Sequence, residues 1–339
     1  MTILFSSFAI RGLDVSQFNG TIDWSKVTEE KCDFVIIRAG LGRVKDAKFT
    51  ANWAGAKAAP GVARSPYWYL DYYSNHNKAS GAYGLSDEAW GTEQGDNCWS
   101  YYKHDSADAG IVFCDIESAS PSVAPAISKV WTRTQAIAKA MLIRMDERNG
   151  KFNGIYCSLD LVNKFDDWFK DRPLWVAWYN EKQTLESVLA AVRKAGWRGP
   201  VVIWQYASHG DINGDGAGDG KTFGAAYDTM DLNAMFGAAA WKVVWGVEIE
   251  EPVIEDPIVV VPEEPVTGEF ESYQVTIPVL NLRTQPVVAD STLIGKLFAG
   301  NPLRISQTYL YGDYVWGRLL GQGWWCCLAE GGAVYAKKV

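Results

Sequence analysis

Gly110-Ile111-Val112-Phe113-Cys114-Asp115-Ile116-Glu117-Ser118 is the stretch on which the reading of the chain turns. Its β-branched and aromatic run reads as a fully buried strand, and two carboxylates two residues apart stand where that strand gives out. On an extended strand such side chains share a face and lie roughly 6.6 Å apart, so Asp115 and Glu117 are expected to project together. Two acids held that close in a partly desolvated cleft cannot both keep ordinary pKa values, and one is driven toward its protonated form. A neutral acid beside a carboxylate is the equipment for glycosidic bond cleavage. A solvated strand end carrying two surface acids is the plainer reading of the same residues.

With 339 residues, 48% of them hydrophobic, the chain has room for one large domain and a smaller one. Its 16 Trp and 16 Tyr supply either core packing or faces that stack on flat ligands such as sugars. The net charge of −8 is gathered in residues 248–270, which hold eight acids and no base. There is no basic stripe to grip nucleic acid and no polybasic membrane patch. No apolar run reaches the roughly 18 residues that membrane insertion demands. The start, Met1 to Ile10, is apolar but lacks a charged leader region and a cleavage site, so synthesis in the cytoplasm without a signal peptide is expected. The six cysteines form no Cys-x-x-Cys pair and read as buried free thiols, with Cys326 and Cys327 facing opposite sides of one strand. His76, His104 and His209 are scattered, which argues against a zinc amidase or metallopeptidase.

Outward from the central stretch, strands are expected at 12–16, 33–40, 65–70, 153–158, 174–179 and 201–206, with helices at 49–59, 87–102, 126–148 and 185–195. Buried strands alternating with helices imply a mostly parallel sheet, and about eight of them suggest a closed barrel with its site at the strands' carboxyl ends. Asp14, Asp115 and Glu117 all occupy such ends.

In order and spacing, Asp14-Val-Ser, Phe113-Cys-Asp115-Ile-Glu117, Gly154-Ile-Tyr156-Cys-Ser158, Leu174-Trp-Val-Ala-Trp-Tyr179, Ile203-Trp-Gln-Tyr206 and Met230-Asp231-Leu-Asn233 resemble glycoside hydrolase family 25, the Chalaropsis-type lysozymes. The resemblance covers roughly residues 10–237 and implies an irregular TIM-like (β/α) barrel that hydrolyses the β-1,4 bond between N-acetylmuramic acid and N-acetylglucosamine in bacterial peptidoglycan. It casts Glu117 as proton donor and Asp115 as the carboxylate that stabilises the cationic transition state or positions the substrate acetamido group. Asp14 and Asp231 complete the cleft, and Tyr67, Tyr69, Trp178, Tyr179, Gln205 and Tyr206 are the sugar contacts. It implies no cofactor and no metal. Two departures stand out: Trp68 replaces a frequent His, and the second strand ends Arg38-Ala-Gly without an acid shortly after. A chitinase-like hydrolase is the rival enzyme, but its further acids would fall at Phe113 and Gly110. A wall-binding protein on a disabled barrel is the rival outside enzymes. Partial burial and the neighbouring Asp115 are expected to keep the proton on Glu117 and leave Asp115 ionised, and the spacing leaves retention or inversion open.

Asp211-Ile-Asn213-Gly-Asp215-Gly216 begins like a calcium loop, but Thr222 stands where a bidentate Glu belongs, so a plain loop is expected. The domain plan is thus a catalytic barrel over 1–247, an extended acidic Pro-rich linker over 248–270, and over 271–339 a small all-β barrel. Asn281-Leu-Arg283-Thr, Ile294-Gly295-Lys-Leu and Gly323-Trp324-Trp325 resemble bacterial Src-homology-3-like wall-binding modules. Tyr309, Tyr311, Tyr314 and Trp316 are its expected ligand-facing aromatics. A leaderless, modular wall hydrolase suggests a phage endolysin, with peptidoglycan as partner and a monomer as the expected state.

Overall fold

The computed structural model describes residues 5–119, 122, 124–180, 182–210, 218–249, 271–283, 293–311, 314–320, 324–330 and 332–339, without the side chains of 293–295 and 309–311. It divides into two compact units, Met1–Ile254 and Glu255–Val339. The strands of the first are β1 (Arg11–Val15), β2 (Phe34–Leu41), the two-residue β3 (Val44–Lys45), β4 (Ala63–Tyr69), β5 (Phe113–Asp115), β6 (Gly154–Ser158), β7 (Leu174–Ala177), β8 (Val201–Ala207) and β9 (Asp231–Met235). Neighbours run β1-β9-β8-β7-β6-β5-β4-β2, and pairing of β1 with β2 closes a barrel of eight strands, β3 folding back on the end of β2. All pairs around the ring are parallel except those of β9, which runs antiparallel to both β1 and β8. The start of β9 therefore lies level with the carboxyl ends of the other strands. That is how Asp231, first in its strand, comes opposite Asp14, near the end of its own.

Strand alternation sorts the side chains. Phe34, Ile36, Phe113, Tyr156, Trp175 and Ile203 fill the barrel interior, while Val35, Ile37, Cys114, Cys157, Val176 and Trp204 face the helical layer. Outside lie α1 (Trp24–Glu29), α2 (Phe49–Ala58), α3 (Asp87–Tyr102), α4 (Trp131–Asn149), α5 (Leu159–Val162) and α6 (Leu185–Lys194). A helix not foreseen, α7 (Ala238–Trp245), packs Trp241 and Val244 among the interior residues; Trp245 Nε1 donates to Arg64 O at 3.0 Å. Gly12 is small because the buried Phe34 ring occupies its side-chain space: a Cβ there would lie 2.4 Å from that ring. Gly12→Ala should therefore cost about 1–3 kcal/mol by overpacking, read as a lower urea midpoint with an unchanged slope.

The decisive stretch is less regular than expected. Only Phe113–Asp115 is ladder. The backbone ahead of it is held piecemeal, Gly110 N by Arg64 O, Ile111 N by Val244 O and Val112 N by the Asn153 side chain. Glu117 lies beyond the strand, so the spacing derived from an extended strand does not apply to it. The helix expected at 126–148 is broken: a short 3-10 turn covers Ile127–Lys129, and α4 begins only at Trp131, ending at Gly150 with φ of 68°. Asp211–Ala217 of the calcium-like loop lie outside the described residues.

The second unit is an antiparallel sheet: β10 (Glu271–Val275), β11 (Val279–Arg283), β12 (Leu293–Phe298), β13 (Pro302–Tyr311), β14 (Tyr314–Leu319), β15 (Trp325–Glu330), β16 (Ala333–Val334) and β17 (Ala336–Lys338). Its order is β12-β11-β15-β14-β13-β10-β17, with β16 on β15, and no ladder joins β12 to β17 among the described residues. The sheet is curled. Leu280, Leu303, Ile305 and Cys326 pack on one face, Trp316, Trp325 and Cys327 on the other, so the adjacent cysteines do part as expected. All six cysteines are free and buried. Trp316, expected to face a ligand, is only 1% exposed and is core; Tyr314 is half-buried beside it. Exposed aromatics instead are Phe298 and Trp324. No described helix is long and apolar enough to cross a membrane.

Candidate active site

Inward alternation brings Asp14 of β1, Arg38 of β2, Tyr67 and Tyr69 of β4, Asp115 of β5, Tyr156 of β6, Gln205 of β8, and Asp231 and Asn233 of β9 to one mouth of the barrel. Asp14 and Asp115 are buried and Glu117 and Asp231 half-buried. The acids expected to meet do meet: Asp115 is within electrostatic reach of Glu117, Asp14 and Asp231.

Removal from water dominates all four carboxyls. It lifts Asp14 from the ordinary 3.8 to about 6, with hydrogen bonds from Asn233, Gln205 and Asp231 pulling the other way. Asp231 is raised well above the carboxylate range by burial, then by the charge of Asp14 and by their mutual hydrogen bond. Asp231 stands opposite Asp14 across the β1–β9 pairing, so the two acids titrate as a linked pair. Burial and then the charges of Glu117 and Asp14 drive Asp115 well up. Glu117 rises through burial and then Asp14, against which Arg38 and a hydrogen bond from Tyr69 act. Against the expectation of an ionised Asp115, the fold raises the proton affinity of that group. Asp115 is the more deeply buried, and its Oδ1 has no protein hydrogen-bond partner to steady a negative charge. Arg38, the strand-end cation that acts on the cluster among the described residues, is itself tied by Nε to Asp46 Oδ2 at 2.7 Å. Asp46 also accepts from the backbone of Gln17 and Lys48.

The sugar contacts expected from sequence divide. Tyr69, Trp178 and Tyr179 stand at the rim; Trp178 and Tyr179, with Glu117 and Tyr156, line an open groove of about 750 Å³. Tyr67 is buried on the floor, edge-on to Trp175 at 5.9 Å. Gln205 is 3% exposed and engaged on both sides: Oε1 accepts from Tyr156 and Tyr179 hydroxyls at 2.7 and 2.6 Å, and Nε2 donates to Asp14 Oδ2 at 2.8 Å. Tyr206 does not belong to the site. Being next to the inward Gln205 it faces outward, where it is buried against Phe8 and Trp204. Trp68 likewise faces out, donating from Nε1 to Gln94 Oε1 at 3.1 Å. Arg38, Tyr156, Trp175 and Asn233 were not singled out beforehand; each sits two or four residues from a recognised site residue, or at a strand's carboxyl end with inward parity, which is the signal that finds them.

A model of glycosyl hydrolases family 25 matches residues 13–215. The chain belongs to that family. Asp14, Asp115, Glu117 and Gln205 fall inside the matched family 25 segment, whereas Asp231 and the second unit lie beyond it. Lysozyme M1 of Streptomyces globisporus is 36% identical over 73 residues, which are 21% of this chain and 23% of that protein, so the chain spans under a quarter of this curated relative. The crystal structure of the bacterial lysozyme from Streptomyces coelicolor superposes with a TM-score of 0.50 at 21% identity, covering 70% of this chain and 97% of that one. It supports the fold. The muramidase from Trichobolus zukalii gives 0.49 at 19% identity, over 70% of this chain and 100% of its own.

Proposed function

We propose that the chain is an N-acetylmuramidase, a lysozyme that cleaves the β-1,4 bond between N-acetylmuramic acid and N-acetylglucosamine in bacterial peptidoglycan. The observation that carries this reading is Glu117: half-buried, lining the groove, its proton held by burial and by the charge of Asp14. Such a group donates to the leaving oxygen as the bond breaks. Asp115 Oδ1, buried and without a protein partner, is free to accept a substrate N–H. An acetamido N–H there would favour the ionised form of Asp115, placing negative charge beside the developing oxocarbenium only once substrate is bound. Retention with the acetamido oxygen as nucleophile is the course this arrangement favours.

Tyr69, Trp178 and Tyr179 serve as sugar contacts, with Tyr67 and Gln205 supporting the floor. The barrel over 1–247 is the catalytic domain, 248–270 a spacer, and 271–339 a Src-homology-3-like module that holds the enzyme to the wall, together a phage-endolysin-type lytic enzyme. All four acids being in place disfavours a disabled, purely binding barrel. Purified enzyme should solubilise peptidoglycan while leaving chitin oligosaccharides intact. Chitin cleavage at a comparable rate would favour the hexosaminidase alternative, and inertness on both would favour the binding protein.

A further inference from the structure

We propose that Trp175, sealed inside the barrel and out of reach of any substrate, decides through Asn233 which member of the Asp14–Asp231 pair carries their shared proton. The inference deepens the muramidase reading and rests on it for its catalytic meaning. Trp175 is 1% exposed, its ring against Tyr156, Phe113 and Tyr67 at 4.4, 5.6 and 5.9 Å. An indole nitrogen has a hydrogen to give and no lone pair to offer. Its 2.8 Å bond to Asn233 Oδ1 therefore admits one orientation of that carboxamide. The amide nitrogen must face Asp14, whose Oδ2 it reaches at 2.8 Å. The same oxygen takes a second hydrogen from Gln205 Nε2, also at 2.8 Å. Gln205 is turned by tyrosine hydroxyls, which can donate or accept; Trp175 is the anchor whose chemistry permits no reversal. An oxygen that receives two N–H groups does not itself bear a hydrogen. Two donors on one oxygen favour the charged form of Asp14 over the neutral acid, which biases the pair's proton toward Asp231.

The effect reaches the reacting groups through charge. An ionised Asp14 raises the proton affinity of both Asp115 and Glu117, so the indole hydrogen helps to keep Glu117 loaded. The other groups that face Asp14 are Asp231 on β9, Tyr67 on β4, Tyr156 on β6 and Tyr179 after β7, with Arg38 on β2 acting on the same cluster. Asn233→Ser leaves the packing of these groups in place, whereas Trp175→Phe also changes the ring beside Tyr156 and Tyr67, so the Asn233→Ser profile is the one that reports on the amide alone. Trp175 is a positioning residue, since it touches neither substrate nor the breaking bond.

The test uses the full chain, isotope-labelled. The Trp175 indole N–H resonance, assigned by its loss in Trp175→Phe, should move with pH at the midpoint of Asp14, near 6. A resonance that stays flat through that range overturns the proposal, and because hydrolysis is not involved, a failed muramidase reading leaves this result interpretable. In activity, Trp175→Phe and Asn233→Ser should each move the acid limb of kcat/KM upward by about one pH unit, with KM unchanged. The double variant should move it no further than Asn233→Ser alone. Additive shifts, or a lower rate with the limb unmoved, overturn the proposal. Should Trp175→Phe fail to fold, the Asn233→Ser profile decides: an unmoved limb there is equally fatal.

Discussion

Glu117→Gln should slow wall lysis by at least about 10²-fold, the loss expected when a positioned general acid is removed. The replacement keeps the shape of the side chain and its place in the groove, but a carboxamide has no acidic hydrogen to pass to the departing sugar oxygen. It also abolishes a feature of the pH profile. In the wild type, activity should fall as pH rises through the raised ionisation of Glu117, because the donor is then empty. The residual activity of the variant should lack that limb. The fold should tolerate the change, since Glu117 lies past the end of β5 and is half-buried. Clearing of wall suspensions, followed by turbidity across pH, checks both points. Near-normal lysis would move the donor's role to Asp115, the raised acid at the end of β5.

Asp14→Asn should inactivate and stabilise at once. Burial lifts the Asp14 carboxyl from 3.8 to about 6, so the folded chain holds this proton more tightly than the unfolded chain does. Its contribution to stability is complete below about pH 3.8 and is lost as pH rises through about 6. The difference of about two units corresponds to about 3 kcal/mol forfeited at neutral pH. An asparagine keeps an oxygen for the Asn233 and Gln205 donors, offers an N–H toward Asp231, and carries no charge to desolvate. The variant and wild type should therefore match near pH 4 and diverge toward pH 7, the variant being the more stable, while its lytic rate drops at least tenfold for want of the anion that keeps Glu117 protonated. Urea titrations at several pH values read the divergence. A variant less stable than wild type at every pH would mean that Asp14 is held by its hydrogen bonds more than it is penalised by burial.

How much of this was legible depends on what each residue's signal rests on. Strand parity is local, so the inward set of β4, β6 and β8 could be read from alternation, and Asp14 and Asp115 could be placed at strand ends. Where parity was not applied, the reading failed: Tyr206 follows an inward Gln205 and must face out, into Phe8 and Trp204. Tertiary capture was invisible. Gly110 to Val112 look like strand but are bonded to Arg64, Val244 and Asn153, and nothing local announces those partners. The proton assignments were the least accessible. The sequence reading left Asp115 ionised, whereas its depth of burial and an unpartnered oxygen raise its proton affinity, and both are set by the closed ring of strands rather than by the stretch itself. In the second unit the pattern yielded strands, but which face Trp316 occupies depends on the curl of the sheet.

The most direct measurement is the identity of the sugar at each newly made chain end. Peptidoglycan digested by the enzyme, reduced and analysed by mass spectrometry, should carry its new reducing ends on N-acetylmuramic acid, and those ends should be absent from digests made with Glu117→Gln. New reducing ends on N-acetylglucosamine, or products cut in the peptide, would contradict the account.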